Sequence, residues 1–253
     1  MDSRVCIVPL VLEELYGKEL KNDEPGSARS AEVVVPLVME LVAPSSVLDV
    51  GCGLASWLAA FAHFGVPRIF GVDGPWVDES TLRIPPDRFL AADLTQPLRL
   101  DEHFDLVVSL EVGEHLPADA ADTFIDSLVA LGPVVLFSAA VPGQGGIGHV
   151  NEQWPDYWVG RFAERGFGVV DCIRPRIWSD ERVQFWYAQN TLIFANDEGH
   201  ERPRMLNGAG ANGPLSVVHP QLLAEATKPR PPPGIRELLR ELQHAVARRM
   251  RQR

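Results

Sequence analysis

Apolar positions along the chain recur with two periods that take turns. Spacings of three and four mark helical patterns over about 8–20 and about 27–42, the second opening at the Ser27/Ser30 cap region. The β-rich run SVLDV (46–50) comes next, followed by the helical run LASWLAAFAHFG (54–65). Further strand patterns read RIFGVDG (68–74), RFLAADL (88–94), FDLVVSLEV (104–112) and PVVLFSAAV (133–141), with a helix over 119–132 before the last of these. YWVGRFAERG (157–166) is helical, and FGVVDCIRP and QNTLIFA are strand-like segments suited to antiparallel pairing at a sheet edge. Strands that alternate with helices predict an α/β fold. It is doubly wound, with a mostly parallel seven-stranded sheet, an antiparallel edge strand and helices on both faces.

The pattern changes after residue 196. Residues 197–233 are so rich in Gly and Pro that they predict a linker without regular structure. Residues 234–253 place Ile235, Leu238, Leu239, Leu242, Val246 and Met250 on one face of a basic amphipathic helix. The expected organisation is thus a domain over 1–196, a linker over 197–233 and a terminal helix over 234–253. That helix carries +4, so the remainder of a chain of net charge −11 holds −15, which disfavours nucleic acid as a partner. The helix is expected to dock on its own domain or on a homodimer mate, the alternative being a membrane surface or an anionic partner. Cys6, Cys52 and Cys172 are odd in number and far apart, which fits neither a disulfide framework nor a cysteine zinc site. With no long apolar span, the reading is a cytoplasmic protein that neither crosses nor binds a membrane.

In such sheets ligands bind beyond the carboxyl ends of the strands. The first strand pattern ends in Asp49-Val50-Gly51-Cys52-Gly53, with Ser56 where a dinucleotide fingerprint has its third glycine, and the second ends at Asp73, 22 residues after Gly51. A glycine turn with a carboxylate at that distance points to a nucleoside ligand. Ala92-Asp93-Leu94 follows the third strand, and Glu111-Val112-Gly113-Glu114-His115-Leu116-Pro117 the fourth. In these four motifs the sequence resembles the Rossmann-like class I S-adenosylmethionine-dependent methyltransferases over roughly residues 30–195. The resemblance implies S-adenosylmethionine as cofactor, with Gly51 and Gly53 along its amino-acid part, Asp73 at the ribose, Asp93 with Leu94 at the adenine, and Asp49 and Glu111 among the cofactor-binding residues. The rivals are a dinucleotide dehydrogenase and a methyltransferase-like protein without catalysis that binds a partner.

Methyl transfer to oxygen requires loss of a proton, hence a base or a metal. His115 and His149 follow strands, and the segment Gly143–Trp158 carries four glycines, then His, Asn, Glu, Gln and aromatic residues. A loop there faces the acceptor, and similar His-Val-Asn-Glu-Gln-Trp strings occur in methyltransferases of bacterial natural-product and glycan clusters. The candidate catalytic residues are His149, His115 and Glu114. Glu111, Glu114, His115 and His149 also form a candidate site for a divalent metal. That set is similar to the Glu-x-x-Glu-His and later His of small-RNA 2′-O-methyltransferases, and its first part to the ubiquinone-pathway O-methyltransferases. Trp178, Phe185, Trp186, Tyr187, Gln189 and Asn190 read equally as a substrate wall or as sheet-edge packing. The expected activity is methylation of a small molecule, oxygen before nitrogen, in secondary metabolism or in glycan or nucleoside modification; RNA 2′-O-methylation is the alternative.

Overall fold

The computed structural model describes residues 8–200 and 213–228, and the side chains within 25–199 and 213–228. Seven strands form one sheet: β1 (Ser46–Val50), β2 (Arg68–Asp73), β3 (Phe89–Ala91), β4 (Leu106–Leu110), β5 (Val134–Ser138), β6 (Gly168–Val170) and β7 (Leu192–Ala195), in the order β3-β2-β1-β4-β5-β7-β6. Strands β1 to β5 run parallel, while β7 pairs antiparallel with both β5 and β6, as the strand-like segments 167–175 and 189–195 predict.

Strands β1, β4 and β5 are buried along their whole length, which explains why they read as continuous apolar runs. Alternate residues feed opposite faces. Val47, Leu106, Val108, Val134 and Leu136 pack against helices α1 (Val8–Val42) and α2 (Ser56–His63), while Leu48, Val107, Val135 and Phe137 pack against α3 (Ala121–Leu131) and α4 (Pro155–Ala163). Each helix contributes its three-four stripe, for example Val34, Val35, Val38 and Leu41 from α1, and Phe124, Ile125 and Leu128 from α3.

Two expectations are corrected. The helical patterns over 8–20 and 27–42 belong to one helix, α1, which continues through Pro25. A proline inside a helix removes one hydrogen bond without forcing a stop, and the Asp-Glu-Pro-Gly-Ser string only resembles a cap. The stretch 197–233 is likewise not wholly irregular. After α5 (Arg174–Ile177) and α6 (Phe185–Asn190) it contains α7 (Asp197–His200) and α8 (Pro220–Ala226), and residues 213–228 lie against the domain. Leu222 of α8 is buried with Val141 and Phe185, and His219 packs on Trp178. Gly and Pro counts report local backbone preference, whereas burial of one apolar side chain and hydrogen bonds to the domain hold this strap in place. The amphipathic pattern over 234–253 lies outside the described residues. No helix among the described residues is long and apolar enough to cross a membrane.

Candidate active site

The sheet ends its parallel strands along one edge, and a cavity of about 440 Å³ opens there. Its floor is the turn after β1. Gly51 N and Cys52 N both donate to the Val72 carbonyl, at 2.7 and 3.1 Å, which ties this turn to β2. Gly51 adopts φ +84°, and a Cβ there would lie 2.3 Å from a Val112 methyl, so only glycine lets the β1 and β4 turns meet. Asp49 lines the cavity with its Oδ2 buried and without a hydrogen-bond partner. Burial first, then repulsion from Asp73, raises its pKa well above the usual carboxylate value.

Asp73 is also buried, but its oxygens are engaged: Oδ2 accepts from Gly53 N at 2.7 Å and Oδ1 from Gly74 N at 2.6 Å. Burial raises its pKa, while these amides and a hydrogen bond from Trp76 oppose the shift. A carboxylate offers about four acceptor positions, so both roles, bracing the turn and gripping a ribose, are open to it. Asp93 is exposed and accepts from Thr95 N and Oγ1 at 2.9 and 2.7 Å, with buried Leu94 beside it. Asp73, Asp93 and Leu94 lie outside the lining of the cavity, which does include Asp49, Gly51, Gly53, Glu111, Glu114, His115 and His149.

The wall after β4 is strained. Glu111 has φ +56°, a conformation costly for a residue with a Cβ and typical of over-determined functional positions. Its amide donates to the Ser138 carbonyl at 3.0 Å, and its carboxylate accepts from Gln144 Nε2 at 2.6 Å and Asn190 Nδ2 at 3.1 Å. Glu114, one short turn on, is completely buried, and neither carboxylate oxygen has a hydrogen-bond partner. Desolvation and the nearby Glu111 raise its pKa well above normal.

The loop after β5 closes over this wall. Val150 N and Asn151 N both donate to the Glu114 carbonyl, at 2.9 and 3.0 Å. Glu152 accepts from Gly143 N at 2.8 Å, Gly145 N at 2.7 Å and lies 2.9 Å from His149 Nδ1. His149 Nε2 therefore faces Glu114 Oε1, 4.0 Å away, with the His115 ring edge-on at 4.8 Å between centroids. Gly146 lies over the imidazole: a Cβ there would sit 2.2 Å from Nε2. His115 is held neutral, its pKa lowered to about 4 by burial and then by His149.

Among the described residues, the His, Cys, Asp and Glu donors near enough to share an ion are Glu114, His115 and His149, with ligand atoms all within 4.8 Å of one another. Glu111 does not join them, because Gln144 and Asn190 hold its carboxylate. Opposite stand Phe185, Trp186 and Tyr187 of α6 and Glu225 of α8. Tyr187 Oη is 3.0 Å from Ser27 Oγ, and burial pushes its pKa up to about 12. In the preceding segment, Trp158 is core, tilted against Phe137, whereas Trp154 is exposed. Glu152, Gln144 and Glu225 carry no signal in the sequence that singles them out. Gln144 and Glu152 lie inside the Gly143–Trp158 segment expected to face the acceptor, and Glu225 lies in an expected linker.

Comparison with known proteins agrees with this geometry. No curated protein sequence matches the chain. Among solved structures, the N-methyltransferase NodS of Bradyrhizobium japonicum, in complex with S-adenosyl-L-homocysteine, is similar at 21% identity and a TM-score of 0.53, over 73% of this chain and 97% of that one. A Nostoc punctiforme protein described as an O-methyltransferase is similar at 17% identity and a TM-score of 0.53, over 72% of this chain but only 59% of its own length. A Haloferax volcanii protein solved with the Trm112 methyltransferase activator gives 18% and 0.52, over 72% of this chain and 93% of the other. These likenesses show a shared fold. A family described as a methyltransferase domain matches residues 26–171, which take in the glycine turn, the β4 turn and the loop carrying His149 and Glu152. The chain belongs to that methyltransferase-domain family.

Proposed function

We propose that the acceptor is a hydroxyl group of a small molecule and that His149 takes its proton. The observation that carries this reading is the orientation of His149: Glu152 holds Nδ1, so Nε2 is the nitrogen presented to the cavity beside Glu114. An Nδ1–H pointing at a carboxylate fixes the tautomer with a lone pair on Nε2, the arrangement a general base requires. His115, with a pKa of about 4, is too weak a base for the task.

The residues at the cavity floor fit the methionine end of the cofactor. Asp49 Oδ2 is a buried acceptor without a partner, matched to an ammonium group, and the Gly51–Gly53 turn keeps side chains out of the way. S-adenosylmethionine held there would supply an electrophilic methyl on a sulfonium, with sulfur as the leaving group. The protein's part is placement and proton removal. Glu152 and the amides of Val150 and Asn151 hold His149 against the Glu114 turn, so that the acceptor hydroxyl meets Nε2 as it meets the methyl. The test is His149→Ala in the full chain, read as S-adenosylhomocysteine formation against a panel of hydroxylated small molecules. Turnover should fall about 10²–10⁴-fold with S-adenosylhomocysteine affinity intact, and near-normal turnover sinks the base.

A second reading has its own support. Both oxygens of Glu114 are buried without a partner and lie with two imidazoles, a donor set suited to a divalent transition metal with sites left for acceptor oxygens. Glu152 is then the carboxylate that orients a ligand histidine. His149 Nε2 cannot serve as ligand and base together. Full turnover in EDTA leaves the base reading standing, whereas loss restored by Mn²⁺ or Zn²⁺ replaces it with a three-residue metal site.

A further inference from the structure

The strap of residues 213–228 reaches the cavity through Glu225, although the family match stops at residue 171. It is anchored by buried polar groups. Arg174, only 3% exposed, donates to the Leu215 carbonyl at 2.7 Å and to the Gln189 carbonyl at 3.1 Å, with Asp171 neutralising its charge. His219 N donates to Gln189 Oε1 at 2.7 Å, Gln189 Nε2 to Asn190 Oδ1 at 2.9 Å, and Asn190 Nδ2 to both Glu111 and Gln144. One chain of hydrogen bonds thus runs from the strap to the strained glutamate in the wall after β4.

The charge of the chamber is one-sided. Asp49, Glu111, Glu114 and Glu225 line it, and among the described residues no lysine or arginine does. Asp49 and Glu111 lie at the cofactor end, which leaves Glu114, a buried carboxylate without a partner, and Glu225, an exposed carboxylate that accepts from Gln221 Nε2 at 3.4 Å. Phe185, Trp186 and Tyr187 complete the wall with aromatic rings, which attract cations over their faces. A phosphate or carboxylate brought here finds Glu225 at the rim and no lysine or arginine among the described lining residues, a setting that disfavours anions.

We propose that the strap is the specificity wall of the acceptor site, and that Glu225 with the aromatic wall selects a hydroxylated small molecule that also carries a protonated amine. This rests on the hydroxyl reading above. It adds a chemical consequence: an amine kept as ammonium by Glu225 has no lone pair, so methylation is directed to oxygen.

The test uses the full chain saturated with S-adenosylhomocysteine and sets of probes on one frame: an amino sugar, the parent sugar and the uronic acid; an aminoalcohol, the diol and the hydroxy acid. Binding is read by saturation-transfer NMR. The amines should bind in preference to the matched acids. Glu225→Gln should weaken amine binding about three- to fivefold, the scale of one partly exposed ion pair, and Glu225→Asp should retain most of it. Neutral probes, melting temperature and S-adenosylhomocysteine affinity should not move. Equal or better binding of the acids, binding by no set, or an amine preference untouched by Glu225→Gln overturns the proposal. Because binding needs no turnover, a failed His149 test leaves this selection standing, and lost selection leaves the His149 test standing.

Discussion

The two ends of the cavity are built on different principles. At the cofactor end, the Gly51–Gly53 turn is bound to β2 by backbone hydrogen bonds and braced by Asp73, so its shape is fixed mostly by main chain within one β1–α2–β2 unit. At the acceptor end, α6, the loop after β5 and the strap come from distant parts of the chain and are joined by side chains: Glu152, Gln144, Asn190, Gln189 and Arg174. Main-chain construction leaves a local sequence signature. Side-chain construction across long separations leaves almost none, and is free to vary with the acceptor.

The sharpest way to break this contrast is Arg174→Met. The guanidinium is buried, bonds Asp171 twice at 2.9 and 2.5 Å, and holds two carbonyls that belong to α6 and the strap. Removing it leaves Asp171 without its ion-pair partner and those carbonyls short of a donor, which should cost about 3–5 kcal/mol. At roughly 2–4 °C per kcal/mol for a chain of this size, scanning calorimetry should show a fall on the order of 6–20 °C. The folded protein should still bind S-adenosylhomocysteine, since Arg174 touches neither Asp49 nor the Gly51–Gly53 turn. Loss of that binding in a folded variant shows that the two ends are one unit.

The same division explains what was legible. β1, β4 and β5 follow from runs such as SVLDV and PVVLFS, because strands buried on both faces need mostly apolar residues. Asp49, Gly51, Gly53 and the Glu114/His115/His149 group were read as neighbours because each follows a strand, and parallel topology brings strand ends together. Three features were not legible, each for a physical reason. The placing of Glu111 depends on amides 33 and 79 residues away that take up its carboxylate and keep it out of the His cluster. The role of Glu152 depends on a loop folding back on its own amides. The strap is held by Leu222 and by acceptors on α6, and local Gly/Pro content is silent about both.

At the cofactor end, Asp49→Asn separates stability from binding. Asp49 is buried with a raised pKa, so the folded state holds a proton at pH values where the unfolded chain has released it. Stability of the ligand-free protein therefore declines as pH rises above the ordinary Asp value, until the raised folded value is passed. A neutral amide removes this decline. The melting temperature should match wild type near pH 4 and exceed it at pH 7–8, by an amount on the order of 1–3 kcal/mol in stability, the cost of a buried polar group without a partner. Affinity for S-adenosylhomocysteine should fall by about 1.5–3 kcal/mol, as for a lost hydrogen bond to a charged group. Unchanged affinity removes Asp49 from the cofactor site, and an unchanged pH profile removes its burial as a cost.

The smallest effect belongs to Ser56→Gly, which restores the third glycine of a dinucleotide fingerprint. Ser56 is the first residue of α2 and lines the cavity floor. In dinucleotide sites that position lets a helix approach a strand closely beneath a pyrophosphate, but S-adenosylmethionine has no pyrophosphate to cradle. Close approach is already provided three residues and one residue earlier, where Gly53 at φ +55° and Ala55 at φ +63° turn the chain into α2. A glycine at 56 gains nothing for the ligand and adds freedom to the unfolded chain. Stability should drop by roughly 0.5–1 kcal/mol while calorimetric affinity for S-adenosylhomocysteine stays within error. A clear gain in affinity for NAD, or a clear loss for S-adenosylhomocysteine, means that the cofactor end is shaped by this side chain and not by main chain alone.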